Sequence, residues 1–278
     1  MSNLNEEVPV FFFHLGNPPY LEKIIAQAKE TNARVILLGD ALNKSLDVEH
    51  YNVEEYLYDF ETFNKAYQHM STNPAQFEVV CFIRWFVLRN FMIKNDIDVC
   101  FYADSDIMIY GDLTEEWKKF KEFACAFMMP DEQNEYAWSA SGHNSYWTRA
   151  ALIEFCDFLN ATYSSEEGLN TLKDKWRFHI QNSKPGGICD MTLFWLYHRL
   201  KEGKGIGILS STHAGATFDD NIVSAENRYK DEYRMKNGIK DIEFREGIPH
   251  CFNLREEKWV RFNTLHFSGA GTKHLIGQ

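Results

Sequence analysis

The sequence lacks an excess of basic residues. Its 278 residues include 29 Lys and Arg against 40 Asp and Glu, which gives a formal net charge of −11 at pH 7. General nucleic-acid binding needs a basic surface that displaces counterions from phosphates. The charge balance therefore argues against a nucleic-acid-binding protein. An acidic protein still binds a phosphate-bearing ligand when a metal ion stands between the two.

Long apolar runs and paired cysteines are also missing. Residues 8–13 and 123–129 fall far short of the roughly 20 apolar residues that span a bilayer. Residues 1–8 carry two glutamates and no basic stretch, so we expect no secretory signal. The six cysteines occur singly, which favours reduced core thiols over a disulfide or zinc framework. We expect a soluble, cytoplasmic protein and leave open a peripheral association with a membrane.

The remaining composition is typical of a folded globular protein. Hydrophobic residues make up 45% and charged residues 25% of the chain, which excludes a disordered chain. The sequence contains no internal repeat, low-complexity tract or obvious linker. One continuous α/β domain is the simplest account of a chain of this length.

The first forty residues have the pattern of a β-α-β unit. Apolar runs at 8–13 and 34–38 predict strands, and residues 20–30 place their apolar side chains on one helical face. Such units with short turns belong to open, mostly parallel sheets. Ligands bind there beyond the carboxyl ends of the strands, which in this chain are residues 14–17 and 39–43.

Further elements follow along the chain. A long apolar helix is predicted at 74–95 with Asn73 as its N-cap. Residues 218–240 are polar and charged, and we expect a mobile loop or helix that covers the active face. The remaining predictions are strands at 98–102, 107–110 and 124–129 and helices at 149–159 and 190–200.

Two carboxylates stand close together after an apolar strand. Asp104 and Asp106 form a D-x-D pair with Ser105 between them, and hydrophobic residues follow at once. Paired oxygen ligands suit Mg²⁺ or Mn²⁺, and these ions commonly bridge to phosphates. The alternative is a solvated surface turn, which would more often continue with Gly, Asn or Ser. We therefore predict a metal site.

These motifs resemble those of a known enzyme group. Residues 84–88 (RWFVL), followed by 101–106 (FYADSD), resemble the R-x-x-x-L…Y-x-D-x-D run of the glycogenin-like and galactosyltransferase-like glycosyltransferases of the GT-A fold. Residues 265–273 (LHFSGAGTK) resemble the H-F-x-G-x-x-K segment of that group. Three residues separate Gly269 from Lys273 rather than two, and His274 stands where the group has proline.

The resemblance implies a fold and a division of the chain. It implies the α/β GT-A fold, a single Rossmann-like α/β/α domain over residues 1–278 with a mostly parallel central sheet. The nucleotide-binding half would cover about residues 8–110. The acceptor half and the C-terminal metal and diphosphate segment would cover about residues 111–278.

The resemblance also implies a metal centre. Asp104, Asp106 and His266 would bind Mn²⁺ or Mg²⁺, and Lys273 would contact the diphosphate. A departing nucleoside diphosphate needs positive charge in the transition state, which the metal, Lys273 and Arg84 would supply. For His266 the alternative is a structural histidine, but the Gly-containing segment after it suits a close backbone approach.

Two other segments are candidates for sugar binding. In the small-residue segment 139–147, the resemblance makes His143 and Asn144 sugar contacts, and the alternative is a turn between strands. Asp190 begins an apolar helix, where it is either a helix N-cap or an acid that faces the sugars. In an inverting enzyme Asp190 would be the general base, and in a retaining enzyme it would position sugar hydroxyls.

The nucleotide is expected at the ends of the first two strands. His14, Asn17 and Asp40 lie in those loops, where ordinary turn residues are the alternative. Tyr102 either flanks the base or is a core aromatic. The predicted catalytic residues are Arg84 and Asp190. The complete set of predicted donor-binding residues is His14, Asn17, Asp40, Tyr102, Ser105, His143, Asn144, Gly269 and Lys273.

The leading hypothesis is a metal-dependent glycosyltransferase. It would move a hexose from a nucleotide-diphosphate sugar, with UDP favoured, to a glycan or lipid-linked acceptor, and the C-terminal resemblance favours retention. A haloacid-dehalogenase-like phosphatase also uses D-x-D, but its motif continues to a Thr where this chain has Met108. A non-catalytic sugar- or nucleotide-binding protein on the same fold is the third alternative.

Overall fold

The structure is a computed structural model that describes residues 7–131 and 136–277. Residues 1–6, on which most of the expectation about a secretory signal rests, lie outside the described part. The α-helices are α1 Leu21–Thr31, α2 Phe60–Ala66, α3 Ala75–Lys94, α4 Leu113–Trp117, α5 Arg149–Ser164, α6 Glu166–Gln181 and α7 Asp190–Leu200, with short 3₁₀ helices at Val53–Tyr56 and Lys273–Leu275.

The strands are numbered in chain order. They are β1 Val10–Phe13, β2 Val35–Gly39, β3 Glu49–Asn52, β4 Val99–Asp104, β5 Ile107–Ile109, β6 Cys125–Met128, β7 Ser141–Thr148, β8 Ile206–Ile208, β9 Ala216–Thr217, β10 Met235–Lys236, β11 Ile239–Lys240, β12 Glu243–Arg245, β13 Ile248–Asn253, β14 Lys258–Phe262 and β15 Thr264–His266.

A seven-stranded central sheet positions the polar loops of the predicted site. Its strand order is β3-β2-β1-β4-β7-β6-β8, and every neighbouring pair is parallel except the two that involve β7. Phe13 of β1 lies opposite Leu38 of β2 and Asp104 of β4, so these three strands end at the same edge. The predicted α/β fold with a mostly parallel sheet is confirmed.

Both faces of the sheet are covered. Successive side chains of a strand point to opposite faces, and β1 shows the result. Phe11 and Phe13 pack into the apolar cluster that includes α3, α5 and α7. Val10 and Phe12 pack into the second cluster, with α1 and β15. All four residues of β1 are buried, which explains why the strand is apolar without alternation.

A small two-stranded sheet joins the C-terminal region to the D-x-D turn. After β4 the chain turns through Ser105 and Asp106 into β5, which pairs antiparallel with β15. Ile107 lies opposite His266 in this pair. The backbone N–H of Phe267 donates to the carbonyl oxygen of Asp106 at 3.0 Å. These bonds fix His266 beside Asp106, although the two are far apart in sequence.

Segment 139–147 is not the turn that one sequence-based interpretation expected, whereas its Ser141 and His143 line a cleft at the carboxyl edge of the sheet. Its larger part is β7, a central strand that pairs with β4 and β6 rather than a turn or an open loop. Gly142 permits close packing here, because a Cβ atom at this position would lie 2.4 Å from Trp85 Cη2 and 2.5 Å from Phe194 Cζ. Small polar residues obscured the strand because packing against neighbouring aromatic side chains, rather than local propensity, determines it.

One local prediction was wrong, and the alternative of a loop or a helix at residues 218–240 was decided in favour of the loop. Asn73 does not cap α3, since Pro74 is the N-cap residue and no side chain caps the helix. Asn73 instead donates its amide to Glu78 Oε1 at 2.8 Å. Residues 218–240 form no helix. They consist of irregular backbone and the short hairpin β10–β11.

A buried ion pair holds this irregular segment. Lys240 Nζ lies 2.7 Å from Asp219 Oδ1, and both side chains are fully buried. Lys240 also donates to the carbonyl oxygen of Asn221 at 2.6 Å. The other carboxylate oxygen of Asp219 accepts the backbone N–H of His266 at 2.9 Å. The pair therefore links the segment directly to β15.

Within the described ranges, no helix is both long and apolar enough to cross a bilayer.

Lys240→Met should strongly destabilise the protein. It leaves the Asp219 carboxylate buried without a cation, which costs about 3–5 kcal/mol, and urea denaturation measures the lost free energy of unfolding. Lys204→Met is the matched control, because the Lys204 side chain is 81% exposed and its ion pair with Glu202 lies at the surface. The control should change stability by less than about 0.5 kcal/mol. Equal losses in the two variants would contradict the assigned role.

Candidate active site

A cleft of about 920 Å³ opens at the carboxyl edge of the sheet. This volume lies in the range of about 300–1,000 Å³ that small-molecule sites occupy. Its walls come from the loops after β1 and β4, one face of α3 and the start of α7. Residues near 220 and within 266–269 also line it. Ten predicted site residues line it: His14, Arg84, Tyr102, Asp104, Ser105, Asp106, His143, Asp190, His266 and Gly269.

Arg84 bridges two carboxylates at the centre of the cleft. Its Nη1 lies 2.5 Å from Asp104 Oδ1, and its Nη2 lies 2.5 Å from Asp190 Oδ2. Burial lowers the pKa of Arg84, but the two carboxylates more than offset this effect and hold the pKa well above its ordinary value. Burial raises the pKa of Asp104, and Arg84 offsets only part of the rise. The bridge ties α3, β4 and α7 together at one point.

Aromatic side chains complete this arrangement. Trp85 Nε1 donates to Asp190 Oδ2 at 3.0 Å, and the Tyr102 hydroxyl donates to Asp104 Oδ1 at 2.9 Å. The Arg84 guanidinium lies 4.9 Å from the Trp85 ring centre. Asp190 is not the N-cap of α7, because Cys189 occupies that position and no side chain caps the helix. The Asp190 carboxylate therefore binds Arg84 and Trp85 in the cleft and does not cap the helix.

Asp106 and His266 face each other beside the bridge. Asp106 Oδ1 lies 3.4 Å from His266 Nε2, which is an ion-pair distance but leaves this buried oxygen without a hydrogen bond. Burial lowers the pKa of His266, but the facing Asp106 carboxylate raises it to about 9. His266 Nδ1 lies 2.5 Å from the carbonyl oxygen of Asp220. A carbonyl partner at Nδ1 directs Nε2 toward Asp106, as in many metal-binding histidines.

Lys273 contacts the D-x-D turn but is not one of the residues that line the cleft. Its Nζ donates to Asp106 Oδ2 and, at 2.6 Å, to the carbonyl oxygen of Phe267. Thr272 Oγ1 donates to the carbonyl oxygens of Ser268 and Gly269 at 2.9 and 3.0 Å. Gly269 has φ +82°, a conformation that favours glycine. The segment thus wraps tightly enough for Lys273 to reach Asp106.

The donor set suits a divalent cation in part. Asp106 Oδ1 is buried and without a hydrogen bond, and it stands opposite His266 Nε2. In the described part of the chain, however, no three His, Cys, Asp or Glu side chains are positioned together to hold a metal ion. Both contacts of the Asp104 carboxylate, to Arg84 and Tyr102, use Oδ1. Asp104 is therefore held toward Arg84 rather than toward His266.

The nucleotide loops form a connected network, but only His14 of their predicted residues reaches the cleft. His14 Nδ1 lies 2.6 Å from Ser105 Oγ. The Asp40 carboxylate accepts the backbone N–H groups of Gly16 and Leu42 at 2.8 and 2.9 Å, so it stabilises the loops. Asn17 is exposed and does not line the cleft. The structure therefore does not place Asp40 or Asn17 in the candidate site.

The two predicted sugar contacts of β7 have different environments. The ring of His143 lies 4.3 Å from the ring of His266, and its Nδ1 lies 2.6 Å from Ser141 Oγ. Burial lowers the pKa of His143 well below its ordinary value. Asn144 is fully buried and donates to the carbonyl oxygen of Asp219 at 3.0 Å. Asn144 is thus a structural link between β7 and the 219–221 loop, not a cleft residue.

Sequence reasoning missed several lining residues. Asp220 and Asn221 line the cleft. Their loop is held by Lys240, which donates to the carbonyl oxygen of Asn221, and no local pattern indicates this contact. Glu78 and Phe77, at the start of α3, also line it. Glu78 had a usable signal, because it is the single acid in a long apolar helix.

The comparisons with known proteins concern structure only. No family model matches the chain, and no curated protein matches it significantly in sequence. Mouse xyloside xylosyltransferase 1, in its apo form, superposes with a TM-score of 0.51 at 10% identity, over 73% of this chain and 85% of that chain.

Two other glycosyltransferases superpose less closely. An active-site mutant of LgtC gives a TM-score of 0.41 at 13% identity, over 77% of this chain and 75% of that chain. The bifunctional glycosyltransferase WbbM gives 0.45 at 10% identity, over 95% of this chain and 46% of that chain. The fold assignment rests on the xylosyltransferase, whose low identity supports an inference of fold alone. The chain therefore has the GT-A glycosyltransferase fold that its motifs predict.

Proposed function

We propose that the protein is a divalent-metal-dependent glycosyltransferase that takes a sugar, a hexose by our prediction, from a nucleotide-diphosphate donor. UDP is the predicted nucleotide. The observation that carries the proposal is that Asp104, Asp106 and His266 line one cleft at the end of β4, where Asp106 Oδ1 faces His266 Nε2. The GT-A fold supports it, because nucleotide sugars bind at this edge of such sheets.

Asp106, His266 and Asp104 would hold Mn²⁺ or Mg²⁺. The bare Oδ1 of Asp106 and the Nε2 of His266 supply two donor atoms, and Asp104 would use the oxygen that Arg84 does not contact. A bound cation would neutralise the charge that develops on the departing diphosphate. Hard oxygen ligands with one imidazole suit Mn²⁺ or Mg²⁺.

Arg84 and Lys273 would bind the diphosphate. In the structure each cation contacts a carboxylate of the D-x-D pair, Arg84 with Asp104 and Lys273 with Asp106. Donor binding would let them exchange these carboxylates for phosphate oxygens, and Asp104 and Asp106 would then be available as oxygen ligands for the divalent cation. Preorganised cations of this kind stabilise charge in a transition state at little reorganisation cost.

Asp190 fits a positioning role better than a general-base role. Its Oδ2 already accepts hydrogen bonds from Arg84 and Trp85, so this oxygen is not available to an acceptor hydroxyl. Such an aspartate would orient Arg84 and the donor sugar. This arrangement favours the retaining alternative, in which no general base on the far face is required.

The competing functions have less support. The fold differs from that expected for a D-x-D phosphatase, since the motif follows β4 and a complete β-α-β unit precedes it. A non-catalytic binding protein would bind the nucleotide without releasing it from the sugar. Nucleotide release therefore separates that alternative from the enzyme.

Metal-dependent donor binding is the first prediction of this proposal. With a panel of UDP- and GDP-sugars and Mn²⁺, the melting temperature should rise for at least one donor, and free nucleotide should appear slowly without acceptor. Asp106→Asn should abolish the Mn²⁺-dependent shift, because it removes the charged oxygen that faces His266. Asp47→Asn is the control, since the Asp47 side chain is fully exposed and pairs with Lys29 at the surface. A shift that survives in Asp106→Asn would place the metal site elsewhere.

The role of Asp190 has its own test. Asn at this position keeps an oxygen that accepts from Trp85 Nε1, whereas Ala removes it. If Asp190 positions Arg84, Asp190→Asn should lower kcat of nucleotide release about tenfold and Asp190→Ala about a hundredfold or more. A general base contributes about 10²–10⁴-fold, and both variants would then lose it equally. Equal losses would contradict the positioning role.

A further inference from the structure

Glu78 lines the cleft and carries a carboxylate oxygen that its role in the fold leaves unexplained. The residue is only 1% exposed yet lines the cleft wall. Its Oε1 accepts hydrogen bonds from Ser71 Oγ at 2.7 Å and Asn73 Nδ2 at 2.8 Å. Its Oε2 is buried and has no hydrogen-bond partner. Among the described residues, no lysine, arginine or histidine pairs with it.

A structural role accounts for only one of these oxygens. Ser71 forms a β-bridge with Gly187, and Thr72 N–H donates to the carbonyl oxygen of Gly186 at 3.0 Å. Through Ser71, Glu78 Oε1 therefore supports the segment that leads to α7. Oε2 takes no part in this support. A buried acceptor that lacks a partner costs free energy, so it calls for a donor from outside the chain.

The position of Glu78 points away from the diphosphate. It lies six residues before Arg84 on α3, which is about 9 Å along the helix axis. Arg84 and Trp85 already satisfy Asp190 at the centre of the cleft. Glu78 thus lies on the N-terminal part of α3, away along the helix axis from Arg84, which is proposed to bind the diphosphate.

The neighbours of Glu78 match the surface of a sugar ring. Phe77 is 58% exposed and lines the same part of the cleft, together with the exposed polar residues Asn73 and Gln76. A sugar presents an apolar C–H face that packs on an aromatic ring and hydroxyl groups that donate to a carboxylate. A simple lipid chain would supply no donor for Glu78 Oε2.

We propose that Glu78 and Phe77 form the acceptor subsite and that the acceptor is a sugar ring. A ring hydroxyl donates to Glu78 Oε2, and the ring face packs against Phe77. This inference rests on the proposed glycosyl transfer and specifies its acceptor class. It favours a glycan over an acceptor whose recognised end is purely apolar.

Binding of simple sugars tests the subsite. Methyl β-glucoside, methyl β-galactoside and methyl β-xyloside serve as probes in saturation-transfer NMR, with UDP and Mn²⁺ present. At least one should bind the wild-type protein. Glu78→Gln keeps an acceptor oxygen for Ser71 and Asn73 but loses the charged Oε2, so it should raise the dissociation constant about tenfold. Phe77→Ala, at an exposed position, should weaken binding about fivefold or more.

A matched control separates binding from structure. Ser71→Ala removes a hydrogen bond to Oε1 without changing Oε2. It should lower the melting temperature but keep sugar affinity within about twofold. Unchanged affinity in Glu78→Gln and Phe77→Ala, or no binding of any probe to wild type, would overturn the subsite. Sugar binding without any nucleotide and Mn²⁺ thermal shift would instead overturn the proposed function.

Discussion

The candidate site depends on one buried cation held between two carboxylates. Arg84 reaches Asp104 at the end of β4 and Asp190 at the start of α7, and only 11% of its side chain is exposed. A buried charge is tolerated only when its partners are well placed. This requirement fixes α3, β4 and α7 relative to one another. Trp85 and Tyr102 donate hydrogen bonds to the same two carboxylates.

Internal cations offset much of the acid at the site. Arg84 contacts Asp104, Lys273 contacts Asp106, and Lys240 contacts Asp219. Each of these three carboxylates is therefore paired with a Lys or Arg of the chain itself. These pairs explain how a chain with a net charge of −11 keeps several acids together. In the proposed function, Arg84 and Lys273 would pass from these carboxylates to phosphate oxygens, and Asp104 and Asp106 would then be available as ligands for the divalent cation.

Patterns confined to one element predicted their structures well. The apolar runs predicted β1, β2 and β4, because strands covered on both faces are apolar throughout. The sequence also placed the D-x-D pair at a strand end, which the structure bears out. The turn alternative for segment 139–147 was wrong, because Gly142 permits close packing of this strand against Trp85 and Phe194. Asn17, Asp40 and Asn144 do not line the cleft, and hydrogen bonds hold Asp40 in its loop and the buried Asn144 against Asp219.

The sequence by itself determined the first β-α-β unit, the helices α3 and α7, the strand β4 and the chemistry of the motifs. Local periodicity and residue type are sufficient for those features. Only the tertiary structure decided which side chains contact each other. His266 lies beside Asp106 because β15 pairs with β5, and Asp190 forms an ion pair with Arg84. The tertiary structure likewise revealed the bare oxygen of Glu78. Such contacts depend on packing between segments far apart in the chain, and burial then determines which polar atoms keep a partner.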